Sequence, residues 1–88
     1  MTQPKRADEI AYYNALRKAA DAYTNEDGRR GAGSWGGRRV AICQAQELGI
    51  AEKRAFYLLT KWSGLGWIDY GTWAWGGWFC PDAPDHLD

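Results

Sequence analysis

No lysine or arginine follows Lys61, so residues 62–88 carry only negative charge, from Asp69, Asp82, Asp85 and Asp88. The chain also lacks any apolar run near the roughly 18 residues of a membrane span. Its first ten residues, MTQPKRADEI, lack the apolar core of a signal peptide. These absences point to a cytoplasmic protein. Cysteine is scarce: Cys43 and Cys80 lie far apart and are expected as reduced thiols. With His86 as the single histidine, no spacing resembles a metal site. Nor can a nucleophile be given a base partner, and Glu47 and Glu52 read as solvated helix residues. No cofactor and no enzymatic activity are expected.

Formal net charge is zero over the 88 residues, which taken alone argues against a polyanionic partner. The distribution says more. Residues 29–61 hold Arg29, Arg30, Arg38, Arg39, Lys53, Arg54 and Lys61 against Glu47 and Glu52, so the middle of the chain is basic between two acidic flanks. Because charges beyond about 8 Å are screened, such a patch acts on a partner even in a neutral protein. Six tryptophans are present, and five of them (Trp62, Trp67, Trp73, Trp75, Trp78) fall between residues 62 and 78. A chain of this length supports one domain with a modest core.

Taken in order, residues 1–7 read as a frayed arm. Asp8 and Glu9 suit the start of a helix, where unpaired N–H groups and the dipole favour negative charge. Ile10, Tyr13, Leu16, Ala20 and Tyr23 then recur at helical spacing. Thr24 to Gly37 holds five glycines and reads as a loop, with Arg29-Arg30 and Arg38-Arg39 as candidate phosphate contacts and Trp35 as a pin to the core. From Val40 to Trp62 the pattern gives two short helices around a corner at Leu48-Gly49-Ile50. Ala41, Ala45 and Leu48 form the inward side of the first. The second, Ala51 to Trp62, sets an apolar stripe (Ala55, Leu58, Leu59, Trp62) opposite Arg54, Tyr57 and Lys61, with Lys53 beside them. Trp67 to Tyr70 and Trp78 to Cys80 read as strands of a hairpin with Gly71 to Gly77 at its tip. Residues 81–88 read as a short acidic tail.

This order resembles the winged helix-turn-helix family, an α+β fold of three helices and a C-terminal β-hairpin wing. The resemblance rests on Ala45-Gln46-Glu47-Leu48-Gly49-Ile50, where a small residue precedes the turn glycine by four and an apolar residue follows it. It rests also on Leu65-Gly66-Trp67-Ile68-Asp69-Tyr70-Gly71, which is similar to the family's passage from recognition helix into wing. What the resemblance implies is sequence-specific binding of double-stranded DNA, as in a transcriptional regulator, with residues 51–62 in the major groove. Lys53, Arg54, Tyr57 and Lys61 would then face DNA, together with Arg38 and Arg39. Arg54 is the candidate for guanine readout, and Lys53 and Lys61 for phosphate. The tip, however, offers Trp73 and Trp75 and no cation. The alternative is therefore a protein-interaction module or inhibitor anchored by those two rings, since tryptophan is enriched at interface hot spots. A third reading has them capping the small core. Exposed tryptophans also stack on sugars, but no accompanying polar pattern supports a carbohydrate site. Homodimerisation through the Tyr12 side of the first helix is left open.

Overall fold

The structure, a computed structural model, describes residues 4–22, 35, 38–69 and 77–88. Helix α1 spans Pro4–Ala22, α2 Arg38–Glu47 and α3 Glu52–Gly64. Strands β1 (Ile68–Asp69) and β2 (Trp78–Phe79) follow and pair antiparallel, Ile68 opposite Phe79 and Asp69 opposite Trp78. Three helices followed by a hairpin is the α+β arrangement expected from the sequence.

The first helix starts earlier than its polar pattern suggests. Residues 4–7, read as part of a loose arm, belong to α1. Proline suits a first turn because its missing N–H would have no helical acceptor there. Asp8 and Glu9 consequently sit in the second turn, not at the helix start, and their charges serve another purpose described below.

The core forms where the apolar stripes of α1 and α3 meet. Ala55, Leu58, Leu59 and Trp62 of α3 are all buried, as are Tyr12, Tyr13, Leu16 and Ala20 of α1. The Trp62 ring stands edge-on to Tyr13, 5.1 Å between centroids, and tilted against Tyr12 at 5.7 Å. Tyr13 meets Trp67 and Phe79 edge-on as well. Such contacts add directional stabilisation to the area they bury. Trp35, expected as a pin to the core, is buried against Phe79. Tyr12 is also fully buried, and its hydroxyl donates to the Ala41 carbonyl at 2.8 Å. The Tyr12 side of α1 is therefore core, which removes it as a dimer surface.

One turn motif is used twice. After α2, the Ile50 N–H reaches back to the Ala45 carbonyl and the Gly49 N–H to that of Gln46, with Gly49 at φ 71°. After α3, Trp67 bonds to Trp62 and Gly66 to Ser63 in the same pattern, with Gly66 at φ 79°. Glycine holds these left-handed positions because a Cβ there is strained. Each motif swings the chain sharply and drops the next residue, Ile50 or Trp67, onto the core. The turn also decides Leu48. Expected on the inward side of α2, it lies beyond the last helical residue and is 42% exposed, and Ile50 takes the core position in its place.

Residues 81–88 are acidic, but they are not a free tail. Tyr13 donates its hydroxyl to the Pro84 carbonyl at 2.6 Å. Asn14 grips the Leu87 backbone at both ends, receiving its N–H at 2.7 Å and donating to its carbonyl at 3.0 Å. Arg17 pairs with Asp85 at 3.2 Å, its guanidinium 4.6 Å over the Phe79 ring. Leu87 is buried in the core cluster. The segment is a strap that closes the core along α1.

Candidate nucleic-acid interface

Of the six residues assigned to nucleic acid, the five cations divide into two groups. Arg38 and Arg39 form the first turn of α2 and are exposed. That turn holds no acidic residue. Two cations at the positive end of a helix dipole oppose it, so an anion there would be favoured twice, by charge and by dipole. Lys53, in the first turn of α3, is exposed too. Among the described residues, Arg38, Arg39 and Lys53 make no ion pair.

Arg54 and Lys61 are turned the other way, toward α1. Arg54 donates from Nε and Nη2 to the two carboxylate oxygens of Asp8, at 3.2 and 3.0 Å. This is a bidentate pair, and the Asp8 hydrogen bond raises the guanidinium pKa further above its ordinary value. Lys61 Nζ lies 3.0 Å from Glu9, whose carboxylate also accepts the Trp62 indole N–H at 3.0 Å. Glu9 is only 3% exposed. A carboxylate so buried requires compensation, and Lys61 and Trp62 supply it. The two carboxylates that looked like helix-start residues are thus the anchors of α3 on α1.

With those cations drawn aside, the outward face of α3 reads Lys53, Phe56, Tyr57 and Thr60, at i, i+3, i+4 and i+7. Phe56 is 42% exposed and Tyr57 55%. The Arg54 guanidinium lies 5.4 Å from the Tyr57 ring centroid, so the clamped arginine also braces that ring. Thr60 turns its hydroxyl back to the Phe56 carbonyl at 2.9 Å. Sequence reasoning had not singled out Phe56, although its helical spacing from Lys53 was available as the signal. The N-cap of α3, Ala51, offers no side-chain acceptor.

On another side of the molecule, Arg17, Asp21, Trp78, Cys80, Pro81 and Asp85 line an open cleft of about 510 Å³. Trp78 there is 41% exposed. Trp73 and Trp75, the alternative partner-binding residues, lie outside the described residues, as do Arg29 and Arg30. Cys43 and Cys80 are free thiols. No three His, Cys, Asp or Glu side chains gather as a metal site would need, and no helix is long and apolar enough to cross a membrane, among the described residues.

No family model matches the chain, and no curated protein or solved structure is similar to it.

Proposed function

We propose that this protein is a cytosolic, winged-helix-like DNA-binding regulator that sets α3 in the major groove of a duplex and the start of α2 against its phosphates. The observation that carries this reading is the pair Arg38 and Arg39, exposed at the positive end of α2 with no neighbouring acid in that turn. Protein stability alone disfavours such an arrangement, whereas a phosphate relieves it. Lys53 adds a third unpaired cation one helix away, beside the uncapped start of α3. The free thiols of Cys43 and Cys80 accord with a reducing compartment.

The geometry changes the roles within that reading. Arg54 serves as a clamp between α3 and α1, and guanine readout is not assigned to it. Lys61 neutralises Glu9 and leaves the phosphate contacts to Arg38, Arg39 and Lys53. Three phosphate contacts give a salt dependence of log K on log salt near a slope of about −2.7. Fluorescence anisotropy with a labelled random-sequence duplex pool, titrated from low to moderate salt, tests this. Binding at low salt that weakens with about that slope supports the reading, and absence of binding to any duplex at low salt removes it.

A protein-directed reading has one observation of its own. Trp78, opposite Asp69 at the base of the hairpin, exposes a large ring beside the cleft, and exposed tryptophan is a frequent interface anchor. It predicts a partner that is displaced by Trp78→Ala and indifferent to Arg38, Arg39 and Lys53.

A further inference from the structure

We infer that the cleft beside Trp78 is a second binding site, which takes an arginine from a basic segment of a protein partner. The incoming guanidinium stacks on the Trp78 ring and pairs with Asp85. This names the partner chemistry of the protein-directed reading and is independent of the DNA-binding one.

The cleft lies where three elements meet. Helix α1 gives Arg17 and Asp21, β2 gives Trp78, and the strap gives Pro81, Ala83 and Asp85. Successive residues of a strand face opposite sides, so the burial of Phe79 in the core turns Trp78 outward, 41% exposed. The strap wall is set in advance, because Tyr13 and Asn14 hold its backbone at Pro84 and Leu87.

The depth at which each charge sits decides what the cleft accepts. Arg17 lies inside, 18% exposed, with its guanidinium 4.6 Å over the Phe79 ring and its Nε closed to solvent. Asp85 stands in front of it, 94% exposed, with Oδ1 3.2 Å from Arg17 Nη2. A group arriving from solvent meets the carboxylate before the guanidinium. Asp21 on the rim and Asp82, between two lining residues, are exposed and carry the same sign. Lys18, the neighbouring cation on α1, is exposed but does not line the cleft, and His86 lies 3.0 Å from Asp88. No lysine or arginine follows Lys61. Such a field draws a cation in and turns an anion away.

The ring then selects among cations. Tryptophan offers a cation the most favourable aromatic face. A guanidinium is planar, so it lies flat on the indole while its edge meets a carboxylate, and an ammonium has no such face. Pro81 and Ala83 supply an apolar wall for the stem of the arginine. At about 510 Å³ the cleft has the size of a ligand pocket, more than one guanidinium fills. Residues flanking the arginine enter with it, which makes a protein segment the occupant.

The probe is an acetylated tetra-arginine amide, titrated into the labelled full chain and followed by nitrogen–proton NMR. Saturable shifts are expected at the Trp78 indole and at the amides of Cys80, Ala83 and Asp85. Trp78→Ala should weaken binding about tenfold, and Trp78→Phe less, because a ring remains. Asp85→Asn removes the charge at constant shape and should weaken it about threefold. Both residues are exposed, so the melting temperature should stay near that of wild type. Shifts centred elsewhere, or affinity unchanged in Trp78→Ala, overturn the site. Equal affinity for tetra-lysine overturns the assignment to arginine, and shifts at the same indole with tetra-glutamate overturn the sign of the charge. Duplex anisotropy on the same Trp78→Ala sample keeps the two readings apart: peptide binding should be lost there and DNA binding kept. Peptide binding by a wild-type protein that binds no duplex supports the cleft and removes the DNA reading. No shift with any of the peptides overturns the cleft, whatever the duplex result.

Discussion

Arg54 on α3 and Asp8 on α1 form a two-pronged ion pair, at 3.0 and 3.2 Å, across 46 residues of sequence. Both side chains are partly buried, at 24% and 29% exposure, so the pair is screened less than a fully exposed bridge. Together with the buried stripe of Ala55, Leu58, Leu59 and Trp62 and the contacts to Glu9, it holds one rotation of α3 about its own axis relative to α1. That rotation decides which residues of α3 look outward.

A double-mutant cycle of Arg54→Ala and Asp8→Ala should therefore return a coupling energy of about 1 kcal/mol in urea unfolding, at the upper end for ion pairs. A coupling near zero would mean that the two side chains are not held together in solution.

Glu9 offers a sharper effect because its carboxylate is buried and serves two donors. Glu9→Ala leaves the Trp62 N–H without its acceptor inside the core and should cost about 1–3 kcal/mol. Glu9→Gln retains an acceptor for the indole and should cost less. Equal losses for the two variants would contradict the assigned hydrogen bond to Trp62.

The two core tyrosines predict a loss of stability in alkali. Burial raises the Tyr12 phenol pKa well above its ordinary value and pushes that of Tyr13 up to about 12. Each hydroxyl also donates a hydrogen bond that a phenolate could not make. In the unfolded chain both ionise near pH 10, so the folded protein holds protons that the unfolded one has released. Stability is then fully present below about pH 10 and falls as pH rises toward 12 and beyond. Unfolding by urea at several alkaline pH values should show this decline. Tyr13→Phe should make it shallower.

The strap can be loosened at Asn14. Asn14→Ala removes both hydrogen bonds to the Leu87 backbone and should lower stability by about 1–2 kcal/mol. It should speed hydrogen exchange at the Leu87 amide far more than at Leu58 or Leu59, which lie in the centre of the core. Unchanged exchange at Leu87 would show that the strap is held by other contacts.

Much of the helical core was legible because a period of 3.6 residues leaves a mark in one sequence. The stripe from Ala55 to Trp62 and the turn at Gly49 could be read in that way, and Trp35 stood out as one large apolar residue in a polar loop. The site was less legible. Asp8 and Glu9 carry the same signal whether they cap a helix or pair with a helix fifty residues away, so local reasoning chose the local explanation. Arg54 and Lys61 were accordingly counted as outward cations. The strap was hidden by its composition: three aspartates and two prolines outweigh the single Leu87, although that leucine is buried and hydrogen bonds from Tyr13, Asn14 and Arg17 hold the segment. Leu48 was misplaced because the turn breaks the helical period just where the pattern was extrapolated.

The measurement closest to the central claim is a nitrogen–proton NMR titration of the labelled protein with a selected duplex, since it locates contact residue by residue. The account predicts the largest amide shifts at the start of α2, around Arg38 and Arg39, and along α3 from Lys53 to Thr60, with little change at Arg17, Trp78 and Cys80. Shifts confined to the cleft beside Trp78, or none at a duplex concentration that saturates anisotropy, would contradict it.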